Sequence, residues 1–162
     1  MPVGPGSPAP AAAARDLDGG SVDLPSLWGR GPAVLFFYKA DCGASEVAGP
    51  VLRRFAAVPG LVVAAISQDG ANEARGFARA SGWAGSVRSL VDPEPWPASE
   101  AFGIRATPTW FVVSPGGRVA AVAEGWNRVD ANALAAEAAR LAGAAAPLVC
   151  TPDGPEPALR PG

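Results

Sequence analysis

The sequence predicts an α/β protein: a three-layer α/β/α sandwich around a central mixed sheet, with an extra N-terminal β-hairpin. Three observations predict it. The runs AVLFFYKA (residues 33–40) and LVVAAIS (61–67) are almost continuously apolar, as parallel strands buried on both faces are. Segments with apolar residues at helical spacing alternate with such runs, and βα units of this kind lay helices over the faces of a parallel core. Late in the chain, TWFVVS and VAAVAE flank the turn PGGR, a hairpin that adds an antiparallel edge.

The elements follow in order. Residues 1–12 are rich in Pro, Ala and Gly and are expected to form a disordered leader. ARDLDGGSVDLPSLWG reads as two short strands about Asp18-Gly19-Gly20, then a helical turn near Pro25 to Trp28. After the first buried strand, SEVAGPVLRRFAAV places Val47, Val51, Leu52 and Phe55 on one helical face, with Pro50 set to kink it. LVVAAIS is the second buried strand, and GANEARGFARASGW an amphipathic helix ending near Gly82. VRSLVD is a short strand, and PWPASEAFGI a short helix ended by Gly103. The hairpin then leads to the closing helix RVDANALAAEAARLAG, for which Asp130 is a suitable N-cap. One domain spanning residues 13–143 is expected, with 144–162 a Pro-rich, mobile tail.

Composition narrows the chemistry. The 162 residues carry 13 Lys and Arg against 15 Asp and Glu, so no basic excess points to nucleic acid or an anionic membrane. With no histidine, Ser-His and Cys-His catalysis and His-ligated metal sites fall away. Two cysteines are too few for a Cys-rich zinc or iron–sulfur site within one chain. The opening residues have neither a positive n-region nor a continuous apolar stretch, so a cytoplasmic location is expected. There a cysteine at a special position is more often reactive than structural.

Cys42 holds such a position, between the first buried strand and the first turn of a helix. Sites in open α/β folds gather at the carboxyl ends of strands. A helix N-terminus offers free N–H groups and partial positive charge, which stabilise a thiolate. Gly43 and Ala44 are too small to cover the sulfur. The other role open to the residue is packing as a small hydrophobe.

Three separated stretches carry a family resemblance: FFYKADCGASEVAGP, AFGIRATPTWFVV and SPGGRVAAVAEGW. Together they resemble the thioredoxin-like superfamily, in particular the branch of peroxiredoxin-like (AhpC/TSA-type) and TlpA-type proteins. The resemblance spans roughly residues 16–143. It implies a thioredoxin-like sandwich with Cys42 as nucleophile and Ser45 in the place of a resolving cysteine, a C-x-x-S motif. It makes Pro108 the cis-proline, Thr107 the residue whose backbone pairs with a bound peptide, and Gly125 the glycine that keeps the substrate groove open. An extended substrate would then pair beside the sulfur in strand-like fashion.

Several residues depart from the family pattern. Asp41 stands where a tryptophan is common; its carboxylate disfavours a neighbouring thiolate or caps the helix. Glu46 adds further negative charge, and Lys39 is close enough in sequence to offset it. Phe36 occupies the strand position of the carboxylate that relays protons in thioredoxins. A thiol pKa somewhat below the free value is expected, not a strongly acidic thiol.

A serine hydroxyl is too weakly acidic to release a mixed disulfide, so Ser45 removes release and leaves attack. The function expected is therefore thiol–disulfide exchange through a single sulfur, without a bound cofactor or metal. Glutathione or another small thiol would serve as co-substrate, and the tetrapeptide CGAS itself resembles the CGFS of monothiol glutaredoxins. The partners are protein or small-molecule thiols and disulfides, with no nucleic acid and no membrane, and the chain is a monomer or weak dimer. One alternative is a peroxiredoxin-like peroxidase, with Arg105 polarising the peroxide and Cys150 resolving from the tail. However, such sites keep the peroxidatic cysteine second in the aligned motif and Ser or Thr first, the reverse of Cys42 and Ser45. Another is a non-catalytic binding module that uses the same groove.

Overall fold

The computed structural model describes residues 2–152 and 154–162. Seven strands form one sheet in the order β2-β1-β5-β4-β3-β6-β7. They are β1 (Ala13–Asp16), β2 (Ser21–Asp23), β3 (Ala33–Tyr38), β4 (Val62–Ser67), β5 (Arg88–Val91), β6 (Thr109–Val113) and β7 (Val119–Glu124). The pairs β3–β4 and β4–β5 are parallel. The hairpin β6–β7 adds to the far side of β3 antiparallel, and the N-terminal hairpin joins β5 antiparallel. The expected sandwich is the observed one. All six residues of β3 are buried, because this central strand meets side chains on both faces.

Alternation along β3 divides the core. Val34, Phe36 and Tyr38 face a layer of helices: α1 (Gly43–Ala48), α2 (Leu52–Ala56), α3 (Ala71–Ser81) and α5 (Arg128–Ala142). Ala33, Leu35 and Phe37 face a thinner layer, made by a 3-10 turn (Leu24–Trp28) and the six-residue α4 (Pro97–Phe102). Pro50 acts as expected: a 3-10 turn, Gly49–Val51, separates α1 from α2. The Gly49 carbonyl accepts a hydrogen bond from the indole of the buried Trp83 at 2.8 Å.

Three expectations need correction. Residues 1–12 are not a disordered leader over the part described. Val3, Ala9 and Ala12 pack on the thin layer, and Gly6 N and Ala9 N donate to Val119 O and Gly117 O at 2.8 Å each. One short helix cannot cover that face, so the leader is drawn onto it. The C-terminal tail, expected to be mobile, also packs on the domain. Val149 and Cys150 are buried against α5, where Asn132 Oδ1 accepts from both backbone N–H groups. Further on, β9 (Leu159–Arg160) pairs antiparallel with β8 (Trp126–Asn127). The N-cap of α5 is Asn127, one turn earlier than Asp130; its Oδ1 accepts from Val129 N and Asp130 N.

No helix among the described residues is long and apolar enough to cross a membrane.

Candidate active site

The site is built where β3 runs out. Its chain turns at Ala40 and Asp41, and Ala40 N donates to Asp69 Oδ2 at 2.7 Å, tying this corner to the end of β4. Cys42 is the N-cap residue of α1, in extended conformation, with its carbonyl accepting from Glu46 N. Opposite lies the loop before β6, where the Thr107–Pro108 peptide bond is cis. The Cys42 thiol donates to Thr107 O with a sulfur–oxygen distance of 3.1 Å. Pro108 O accepts from Gly125 N at 2.7 Å, and Gly125 O accepts from the Trp110 indole at 3.0 Å. The fold thus brings Cys42, Ser45, Thr107, Pro108 and Gly125 to one place from three separated stretches.

Electrostatics favour the thiolate modestly. Burial alone would raise the Cys42 pKa, but hydrogen bonding outweighs it. The Ser45 hydroxyl and N–H, the Thr107 hydroxyl and the Ala44 N–H together hold the thiol below its ordinary range. The buried Ser45 Oγ has no partner at normal hydrogen-bond geometry. The resting thiol spends its proton on Thr107 O, so the serine hydroxyl is free to turn toward the sulfur once that proton leaves. Phe36 is buried between Tyr38 and Trp110, with ring centroids 5.5 and 5.1 Å away, and it offers no proton relay.

The remaining candidates lie further out. Asp41 and Glu46 are exposed. Lys39 lines a depression of about 400 Å³ with Gln68, Trp96 and Ser99. Arg105 faces Glu124 at 3.7 Å, both of them at the surface. Cys150 is buried on the α5 side. Its thiol is pushed up by burial and by Glu156, so it is a poor attacking group as it sits. Both cysteines are free. Among the described residues no three His, Cys, Asp or Glu side chains converge as a metal set.

Sequence reasoning missed a contributor from the tail. The guanidinium of Arg160 lies directly on Gly43, where any Cβ would overlap it. A Cβ on Gly125 would fall 3.0 Å from Gly162 N and 3.1 Å from Arg160 O, and Gly162 itself lies against Thr107. The tail lacks apolar periodicity, and nothing in its sequence announces this path.

Comparisons with known proteins agree on the architecture. A family model described as "TraF: F plasmid transfer operon protein" matches residues 30–130. No curated protein matches the chain in sequence. Among solved structures, MTB dsbF in its mixed oxidized and reduced forms is similar. It is 25% identical with a TM-score of 0.69, over 81% of this chain and 95% of that one. A secreted Mycobacterium tuberculosis disulfide oxidoreductase homologous to E. coli DsbE is 22% identical with a TM-score of 0.58, over 67% and 80%. Peroxidoxin BcpB from Mycobacterium tuberculosis is 22% identical with a TM-score of 0.69, over 87% and 97%. The fold is the thioredoxin-like α/β fold that these structures share.

Proposed function

The chain belongs to the family of TraF, the F plasmid transfer operon protein, and from the geometry around Cys42 we propose that it is a single-sulfur thiol–disulfide exchange protein. One observation carries the reading: the Cys42 sulfur sits 3.1 Å from Thr107 O, beside Pro108 and at the head of α1, with its pKa lowered. In the reaction, the Cys42 thiolate attacks a substrate disulfide R–S–S–R′. A bond forms between Cys42 and one substrate sulfur, the S–S bond breaks, and R′–S⁻ leaves with the electron pair. The adduct persists because Ser45 has no thiolate to offer. A second thiolate, from glutathione, another small thiol or a protein, attacks the adduct and returns Cys42 as the leaving group. No net oxidant is required beyond the substrate disulfide. The similar structure described as a disulfide oxidoreductase supports substrates of this class.

Ser45→Cys is the direct test. The protein as it stands should capture oxidised glutathione at Cys42, seen as an adduct by mass spectrometry. It should reduce insulin no faster than the dithiol reductant alone, whereas Ser45→Cys should catalyse insulin reduction. Glutathione capture at the rate of an ordinary thiol would overturn the reading.

A peroxidase remains the second reading, favoured by the arginine that does approach the site, Arg160 on Gly43. It requires hydrogen peroxide to convert Cys42 to the sulfenic acid faster than glutathione disulfide modifies it.

A further inference from the structure

We propose that residues 157–162 lie in the substrate groove as an internal stand-in for an extended polypeptide, so that protein substrates reach Cys42 only when this segment lifts away. The inference rests on the exchange reading above and names its substrate class: a disulfide-bearing segment in strand conformation.

Four observations converge. First, the segment is strand-like and pairs with β8, which begins next to Gly125. Leu159 and Arg160 stand opposite Asn127 and Trp126, and Arg128 N donates to Ala158 O at 2.9 Å. Second, the following residues continue past Gly125 to Thr107, where the backbone beside Pro108 would otherwise meet a substrate. Third, Arg160 covers the first residue of α1, next to Cys42. The glycines at positions 43 and 125 make room for this segment; a side chain at either would collide with it. Fourth, the sequence PALRPG contains no sulfur, so it fills the groove without being captured.

The attachment is graded along the tail. Upstream, Val149 and Cys150 are buried, and Arg54 donates to Val149 O and to the Glu156 carboxylate. Arg128 donates to Pro152 O, Gly154 O and Glu156 O. The Trp126 indole donates to Pro157 O, the first residue of the segment that lifts. Beyond that anchor, residues 157–162 are exposed on their outer side and β9 is only two residues long. Such a segment opens at low cost while its anchor stays in place. A substrate must then compete with a tethered occupant, and its apparent affinity falls by the fraction of time the groove is open.

The test uses the full chain, a chain ending at Glu156, and Arg128→Ala, which keeps every tail residue but removes the clamp. Circular dichroism verifies that each is folded. Cys42 is offered two probes: a small activated disulfide, and the same disulfide on an extended decapeptide. For the shortened chain the peptide rate should rise about tenfold, which corresponds to a groove open about a tenth of the time. The small-probe rate should rise much less. Arg128→Ala should fall between the two, and the free peptide Ala-Leu-Arg-Pro-Gly at millimolar concentration should slow the shortened chain again. Equal peptide rates for the full and shortened chains, with the small probe still faster than with an ordinary thiol, would overturn the tail's role and leave the exchange reading intact. Slow reaction with both probes in all forms would overturn both.

Discussion

At the scale of the residue, the chemistry of Cys42 is a contest over one proton. Thr107 O accepts it in the thiol form, whereas Ser45 and the N–H groups at the head of α1 favour its loss. Reactivity follows the thiolate, so the alkylation rate should rise with pH and level off above the thiol pKa. Because hydrogen bonding lowers that pKa, the midpoint should fall below that of an ordinary cysteine thiol. Ser45→Ala removes a donor to the thiolate, so the midpoint should move up and the rate at pH 7 should fall about 3- to 10-fold. Stability should hardly change, since this buried hydroxyl has no partner in the resting protein. Rates followed by mass spectrometry from pH 6 to 10 check both statements; an unmoved midpoint would contradict the role given to Ser45. That Cys42, Ser45, Thr107, Pro108 and Gly125 would come together was legible in the sequence, because each sits in a short local pattern at an element boundary. Arg160 was not, because its partner Gly43 is far away along the chain, and a contact between the first residue of a helix and a two-residue strand leaves no periodic trace.

At the scale of the element, caps decide where helices begin. Asp92, at the end of the third parallel strand, is fully buried and receives Ala98 N at 3.0 Å and Ser99 N at 2.7 Å. It thereby satisfies the first turn of α4, whose Phe102 packs on Phe111 of β6 with ring centroids 5.1 Å apart. Asp92→Ala should cost about 3 kcal/mol, since it leaves buried N–H groups without an acceptor. Asn127→Ala should cost about 1 kcal/mol, the usual value for an N-cap at the surface. Urea unfolding of the two variants checks the order; equal losses would mean that burial adds nothing to the Asp92 cap. Apolar period and Pro50 made the strands, the helices and the kink readable. The choice of Asn127 over Asp130 was not, because both residues are good caps and three positions separate them. The pairing of β8 with β9 selects between them by fixing the chain direction into α5.

For the whole molecule, the two faces of the sheet are unequally clothed. Four helices lie on one face, while the other has α4, a 3-10 turn and the N-terminal segment. Both the Pro-, Ala- and Gly-rich start and the Pro-rich tail are recruited to finish the structure, one over the thin face and one over the site. Composition alone predicted disorder for them because their few apolar residues, Val3, Val149 and Cys150 among them, have no regular spacing. Removing residues 2–12 should uncover the thin layer and lower Tm by roughly 5–10 °C, a loss of about 2 kcal/mol or a little more for a domain of this size. A calorimetric scan checks this, and an unchanged Tm would mean the segment rests on a face already covered.

The bond from the Trp126 indole to Pro157 has a practical corollary. Of the five tryptophans, four are buried, and Trp126 alone among those four donates to the tail. Trp110 stands 6.1 Å away, ring centroid to ring centroid. Departure of the tail would admit water to this indole and redden its emission, with Trp110 sharing the excitation and Trp96, already at the surface, giving a constant background. The protein thus carries an intrinsic fluorophore at the hinge of its own cover, and stopped-flow spectroscopy can time the cover's motion without a dye.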